Sequence, residues 1–304
     1  MLGGGGFIGT NLCQALVAAG AQVKAFGRSV SFPTALAGVD WTPGNFQDGS
    51  ALAQIVEGCE IVFHLISSSS PATSNQNPVA DLKANTLGSL NLLNLCQQYR
   101  VRKVIFISSG GTVYGIPKQL PIAESAPTDP ICAYGISKLA IEKYLALYYH
   151  LHGLDYLILR VSNPYGRFQT ASKSQGVVAA FLSKAINGDL LEVWGDGQVV
   201  RDYIFIDDVI AALIKAIDYS GQPRIFNIGS GVGKSINQVI DDLEILLNRP
   251  LKRRYQPKRK VDVPVNILDI ALAQKLMGFQ PEVAWMVGLQ KTLHWLTQGG
   301  LHNL

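Results

Sequence analysis

Tyr134 and Lys138 carry the clearest acid–base potential in the chain. Four positions apart, a Tyr and a Lys share one face of a helix. An ammonium beside a phenol favours the phenolate, so a hydroxyl that ordinarily titrates near about 10 becomes a usable proton shuttle closer to neutrality. Taken alone, Tyr-x-x-x-Lys is a weak signal, because a surface Tyr beside a solvated Lys has the same spacing. Its weight comes from a second group, the run Gly3-Gly4-Gly5-Gly6-Phe7-Ile8-Gly9 at the start of the chain. Glycines at 3, 6 and 9 permit positive φ, close approach of backbone to a pyrophosphate and tight helix–strand packing. The helix after them offers free N–H groups and a favourable dipole to an anion.

The elements that must position these residues follow from periodicity. Ile8, Leu12 and Leu16 recur every four residues through Thr10–Ala19 before Gly20, which reads as a helix fed by a glycine turn. Residues 21–26 supply the next strand of a βαβ unit, which argues against a merely flexible hinge. Only Met1 and Leu2 precede the loop, where a central strand needs about five apolar residues. Either the natural start lies upstream or this strand is abnormally short. A strand buried on both faces is a serious loss, so weakened stability and cofactor affinity are expected.

Further on, strands at 61–65, 104–107 and 156–159 alternate with helices at about 79–99 and 134–151. That alternation predicts an α/β fold, a Rossmann doubly wound parallel sheet with right-handed crossovers. Residues 1–165 read as a dinucleotide-binding domain, with a probable return segment near 202–230 that includes a strand at 224–229. Residues 166–304 read as a smaller, discontinuous C-terminal lobe for substrate, with amphipathic helices near 175–187, 206–218 and 235–247. No internal repeat or low-complexity tract interrupts them.

Composition bounds the remaining classes. The chain has 304 residues, 48% of them apolar, and 26 Lys+Arg against 22 Asp+Glu, a net charge of +4. That is enough for a large core and too little positive charge to argue for nucleic acid, although Lys252-Arg253-Arg254 and Lys258-Arg259-Lys260 cluster charge locally. Cys13, Cys59, Cys96 and Cys132 lack metal-ligand spacing and read as reduced thiols of a cytoplasmic protein; no metal site is expected. No apolar run approaches 18 residues and no signal-peptide pattern opens the chain, so neither membrane span nor secretion is expected. His64, at a strand end, reads as a satisfied core histidine.

Five segments in order resemble the extended short-chain dehydrogenase/reductase family acting on nucleotide sugars, most like its UDP-glucose 4-epimerases. They are the glycine loop, Ser108-Ser109-Gly110-Gly111-Thr112-Val113-Tyr114-Gly115, Tyr134-x-x-x-Lys138, Arg160-Val161-Ser162-Asn163-Pro164-Tyr165-Gly166, and Gly195-Asp196-Gly197 followed by Arg201-Asp202-Tyr203. The resemblance implies a base, Tyr134, that takes the sugar 4-hydroxyl proton while hydride passes to a nicotinamide, and a Lys138 that holds the ribose and keeps Tyr134 acidic. The resulting 4-keto sugar would turn over and receive the hydride on its other face.

The same resemblance implies cofactor contacts from Gly3, Gly6, Phe7, Ile8, Gly9, Arg28, Asn45, Phe46, Leu65, Asn85 and Ser108. The usual catalytic Ser or Thr falls at Gly110, so Ser109 or Thr112 is expected to substitute, with Thr112 favoured. Gly27-Arg28 replaces the Asp that normally binds the adenosine ribose, so NAD is expected and NADP is admissible. Asn163, Arg201 and Arg259 would hold the nucleotide diphosphate, Val193 and Trp194 would flank the uracil, and Asn266 would gate the sugar 2-position, tolerating an N-acetyl group.

A UDP-sugar substrate, a homodimer through the helices carrying Leu90, Leu93, Leu139 and Leu145, and a role in polysaccharide precursor synthesis complete the implied picture. The absence of a carboxylate in 110–112 argues against a 4,6-dehydratase. An NADP-dependent reductase, a UDP-glucuronate decarboxylase and a non-catalytic dinucleotide-sensing regulator stand as alternatives.

Overall fold

The protein is described from a computed structural model that covers residues 1–31, 37–169, 176–258 and 263–298. Its main sheet is built from β1 (Val23–Gly27), β2 (Val39–Pro43), β3 (Ile61–His64), β4 (Lys103–Ser109), β5 (Asp155–Val161) and, after the short β6 (Asn163–Tyr165), β7 (Leu191–Trp194) and β8 (Val200–Phe205), from β9 (Ile225–Ile228). β2 pairs with β1, and β3-β4-β5-β9 run side by side, all parallel. The gap between β1 and β3 is filled by Met1 and Leu2. Leu2 bridges Phe26 on one side and His64 on the other, both in parallel, and Leu2 N and Leu65 N make 2.9 and 3.0 Å hydrogen bonds across this stub. The central strand is therefore as short as the sequence indicates, yet it still joins the two halves. With the stub as its first strand, the sheet has the 3-2-1-4-5-6 order of a dinucleotide fold, extended by β9.

β4 and β5 are buried almost throughout, and their side chains alternate between the two covered faces of the sheet. Ile105, Ile107, Leu157 and Leu159 pack on one face with Leu12 of α1 (Phe7–Ala18) and Leu213. Val104, Phe106, Tyr156 and Ile158 face the other way, onto Leu52 of α2 (Gly49–Val56), and onto Leu92, Leu93, Ile141 and Leu145. The expected helix over 79–99 is broken. It comprises α3 (Pro78–Leu82), a π-helical turn over Lys83–Leu87 and α4 (Gly88–Gln98). The extra residue of a π turn rotates the helix C-terminal to it, and such turns mark functional sites; this one contains Asn85.

The longest helix, α5 (Ala133–His152), ends at Gly153, whose φ of +69° gives the left-handed turn that closes it. Its inward stripe, Gly135, Lys138, Glu142 and Leu145, recurs every three to four residues and places two charged side chains in the interior. α6 (Val177–Asn187), α7 (Ile206–Asp218), β10 (Gly233–Ser235), α8 (Ile236–Leu247), β11 (Arg253–Gln256), β12 (Val265–Asn266), α9 (Ala271–Met277) and α10 (Trp285–Thr297) complete the chain. They form two small sheets, β10-β8-β12 with β6 against β8, and β11-β7. No helix among the described residues is long and apolar enough to cross a membrane.

Candidate active site

The glycine loop forms a cradle that side chains would fill. A Cβ at Gly9 would lie 2.8 Å from Gly4 Cα and closer still to the Gly3 carbonyl oxygen; one at Gly4 would lie 2.7 Å from the Ala25 methyl. Gly3 has φ +84°, a conformation that L side chains rarely adopt. Gly6 starts α1 without a side-chain cap, so the first N–H groups of Phe7, Ile8 and Gly9 point at the loop unclaimed by a capping group. Leu65 and Ile66 close the other wall, 3.2 Å from the position of a Gly3 Cβ. Such a cradle fits a dinucleotide pyrophosphate.

A cleft of about 370 Å³ is lined by Arg28, Gly44, Asn45, Phe46, Gln47, Ser68 and Ala84. Asn45 Oδ1 accepts from Gln47 N at 3.1 Å, which shapes the turn, and Phe46 packs inward against Gly88 and the His64 ring, 5.3 Å away. Asn85 holds the opposite wall: its Oδ1 accepts from Ser68 N at 2.8 Å while its Nδ2 donates to Asp81 Oδ1 at 3.1 Å. Asp81, buried at 4% exposure, also accepts from Ser69, and from Ser137 Oγ at 2.5 Å, so it ties α3 and the 67–70 loop to α5. Sequence reasoning passed over Asp81. Its position four residues before Asn85, on the same helix face, was the available signal.

The Tyr134–Lys138 pair lies beside the carboxyl-terminal part of β4. Lys138 is buried, its Nζ donates to the Ile107 carbonyl at 2.9 Å, and it stands 4.7 Å from the Phe106 ring centroid and 5.7 Å from that of Tyr134. Burial lowers the ammonium from 10.5 to about 8, against the opposing attraction of Glu142 and Asp81. The phenol of Tyr134 is not lowered, contrary to the sequence expectation. Burial pushes it up to about 12, with the Ser67 hydroxyl opposing and the negative charge of Asp81 adding to the rise. Lys138 donates to the Ile107 carbonyl and stands closer to the Phe106 ring than to that of Tyr134, and desolvation sets the direction of the phenol's shift.

Behind the pair lies a buried network that the sequence reading did not anticipate. Ser108 Oγ donates to Glu142 Oε1 at 2.5 Å, and Arg160 clamps Glu142 through its Nε and through NH2 at 2.6 Å, with both charged side chains 3% or less exposed. Arg160 NH1 donates to Tyr114 OH at 2.9 Å, and Tyr114 donates to Asn227 Oδ1 at 2.7 Å. The Ser108 hydroxyl is thus spent on Glu142, and Ser108 can meet a cofactor only through its backbone. His64 is buried and only half satisfied, because its Nδ1 has no hydrogen-bond partner. Its Nε2 sits 2.7 Å from Ser89 Oγ, and burial drives the imidazole down to about 3, which keeps it neutral.

Two features that looked separate in sequence prove to be one packing event. A Cβ at Gly110 would lie 2.5 Å from Leu268 Cδ1 and 3.0 Å from the Arg160 carbonyl oxygen. The glycine is what lets residues 266–268 close over the end of β4, where Asn266 Nδ2 donates to the Gly110 carbonyl at 3.0 Å. Asn266 is completely buried, and its Oδ1 has no protein partner. Thr112 backs the start of α5, its carbonyl oxygen 2.8 Å from where a Gly135 Cβ would sit; its buried Oγ1 also has no protein partner. The hydroxyl of Ser109, at the end of β4, is half-buried and borders Gly111.

On the small-sheet side, β6 and β8 pair in register, and Asn163 Nδ2 donates to Asp202 O at 3.0 Å. Arg201 NH1 donates to the carbonyls of Val200 and Val263, at 2.9 and 2.6 Å. The Val193 side chain is buried in the core, so only its backbone can meet a ligand, whereas Trp194 is 41% exposed. Arg259 lies outside the described residues. The helix-pair leucines divide differently from expectation: Leu93 and Leu145 are core residues, and the exposed apolar side chains on these helices include Val79, Leu82, Leu87, Ile136, Leu147, Tyr149 and Leu151. Among the described residues no cluster could hold a metal ion.

Residues 1–229 match the NAD dependent epimerase/dehydratase family. The chain belongs to that family. It is 32% identical to a UDP-glucose 4-epimerase of Mycolicibacterium smegmatis, with 96% of each chain covered. It is equally 32% identical to a dTDP-4-dehydro-6-deoxyglucose reductase of Escherichia coli, covering 96% of this chain and 95% of that one. Its structure superimposes on the UDP-glucose 4-epimerase of Thermotoga maritima, solved with UDP-glucose, with a TM-score of 0.93 at 34% identity over 98% and 97% of the two chains. The Thermus thermophilus UDP-glucose 4-epimerase in complex with NAD gives 0.89 at 30% identity, over 96% of each. The family is NAD-dependent, and the resemblance first drawn from five short motifs therefore holds along the whole chain.

Proposed function

We propose that the protein is a UDP-sugar 4-epimerase that works through a 4-keto intermediate with tightly bound NAD. The observation that carries the reading is the half-buried Tyr134 with the buried Lys138 beside β4, in a chain that also carries a glycine cradle and the Asn163–Arg201 segment of the small sheet. The bound dinucleotide supplies a hydride acceptor that is regenerated within the cycle. Gly3, Gly6, Phe7, Ile8 and Gly9 hold its pyrophosphate, and Arg28, Asn45, Phe46, Leu65, Asn85 and the Ser108 backbone frame the rest.

The phenolate of Tyr134 accepts the sugar 4-hydroxyl proton, and Lys138 orients the site and contributes the adjacent positive charge. Thr112, with an unclaimed hydroxyl next to α5, donates a hydrogen bond to the developing carbonyl, with Ser109 as the second hydroxyl in reach of that role. Asn163, Arg201, Arg259, Trp194 and the Val193 backbone hold the UDP group. Asn266, short and drawn onto Gly110, leaves room at the sugar 2-position, so UDP-N-acetylglucosamine turns over as well as UDP-glucose. The exposed apolar residues of α3, the π turn and α5 form a homodimer face, and the enzyme serves cytoplasmic polysaccharide precursor synthesis. A second reading, a nucleotide-sugar reductase, is favoured by Arg28 in a cleft without a lining carboxylate.

The test incubates purified protein with UDP-glucose or UDP-N-acetylglucosamine without added cofactor and resolves the nucleotide sugars. The galacto-epimer appears, and Tyr134→Phe lowers its rate by about 100-fold or more. Absence of any epimer from either sugar, with dinucleotide bound, overturns the reading.

A further inference from the structure

The cleft departs from the chemistry expected of an adenosine site in two linked ways. A carboxylate at the end of the second strand of a dinucleotide-binding unit binds the ribose diol and repels a 2′-phosphate, so it works by attraction and exclusion together. Here that strand ends at Gly27, where even a Cβ would lie 2.6 Å from Trp41 Cη2. The same indole lies 3.2 Å from the position of a Gly5 Cβ, and its Nε1 donates to the Ser29 carbonyl at 3.1 Å. The ring therefore stands over the step between the glycine loop and β1, in the volume an acidic side chain at 27 would enter. Arg28 comes next, exposed, in the wall of the 370 Å³ cleft with Asn45, Gln47 and Ser68. Among the described residues it has neither a hydrogen-bond nor an ion-pair partner. Asp48, just beyond Gln47, caps α2 instead, accepting from Ser50 N at 2.9 Å and Ser50 Oγ at 2.7 Å.

We infer that this cleft takes a 2′-phosphorylated dinucleotide, NADP, at least as tightly as NAD, with Arg28 as the phosphate ligand and Trp41 holding the carboxylate position closed. The inference rests on the dinucleotide half of the proposed function and not on its sugar chemistry. A planar guanidinium grips phosphate oxygens bidentately, and charge-assisted contacts of this kind change affinity by about tenfold. Among the described residues that line the cleft none is a carboxylate, so none of them discriminates against the added charge.

Calorimetric titration of the full chain with NAD and with NADP, at one fixed salt concentration, tests this without reference to turnover. The expected Kd for NADP equals or falls below that for NAD. Arg28→Gln, an exposed change that leaves the thermal melt in place, raises the NADP Kd by about tenfold or more and that of NAD by less than about threefold. NADP binding more weakly than NAD, equal effects of Arg28→Gln on both, or no binding of either overturns the inference. Absence of epimer formation with these affinities intact would instead count against the sugar chemistry alone.

Discussion

Lys138→Met is expected to stabilise the fold while abolishing turnover, and the gain is expected to fade with rising pH. Burial lowers the Lys138 ammonium from 10.5 to about 8, with attraction to Glu142 and Asp81 already opposing that fall. At about 1.4 kcal/mol per pH unit, keeping the charged form in the interior costs about 3 kcal/mol below pH 8 relative to a solvated lysine. Because the folded value lies below the unfolded one, the unfolded chain binds more protons between pH 8 and 10.5. Wild-type stability therefore climbs through that window, and the cost vanishes above it.

Methionine fills a similar volume without the charge, so the variant lacks this pH-dependent contribution. Its lost hydrogen bond to the Ile107 carbonyl, 2.9 Å in the wild type, offsets part of the gain at every pH. Urea unfolding of both proteins at half-unit steps from pH 7 to 10 reads the difference. The variant's advantage should shrink by about 3 kcal/mol across the window. Tyr134, shared by both proteins, cancels in the comparison. A difference that stays constant with pH would refute the claim that a buried, charge-bearing Lys138 is held at a stability cost.

Three further outcomes are expected. Glu142→Gln leaves the Arg160 guanidinium buried opposite a neutral amide and should destabilise the protein by about 3 kcal/mol in urea unfolding; a change below about 1 kcal/mol would show that the network is not holding charge. Gly9→Ala drives a methyl into Gly4 and the Gly3 carbonyl, so nucleotide extracted from the purified protein should fall to trace amounts. Retention of a full equivalent would show the loop can move aside. Asn266→Ala removes the bond to the Gly110 carbonyl and should lower the thermal midpoint, while the ratio of turnover on UDP-N-acetylglucosamine to UDP-glucose stays the same or rises; a fall in that ratio would remove Asn266 from the substrate argument.

The sequence by itself determined what depends on short-range pattern. The helix start at the glycine loop, the stripe of α5 with Tyr134 and Lys138 on it, the run of parallel strands, and the bounds of α7 at 206–218 are all local consequences of 3.6- and 2-residue periods and of backbone freedom at Gly3.

What only the tertiary structure decided involves residues far apart in the chain. Glu142 and Arg160 meet because α5 lies across β5, Asp81 reaches Ser137 from 56 residues away, and Trp41 covers Gly27 from the neighbouring strand. The ionisation of the Tyr134–Lys138 pair belongs to this second class. Spacing puts Lys138 on the same face as Tyr134, but desolvation depends on everything packed around them, and here it lifts the phenol and lowers the ammonium. The absent hydroxyl at Gly110 and the buried Asn266 likewise read as unrelated positions in sequence, 156 residues apart, until the closing of residues 266–268 onto the end of β4 makes them one contact.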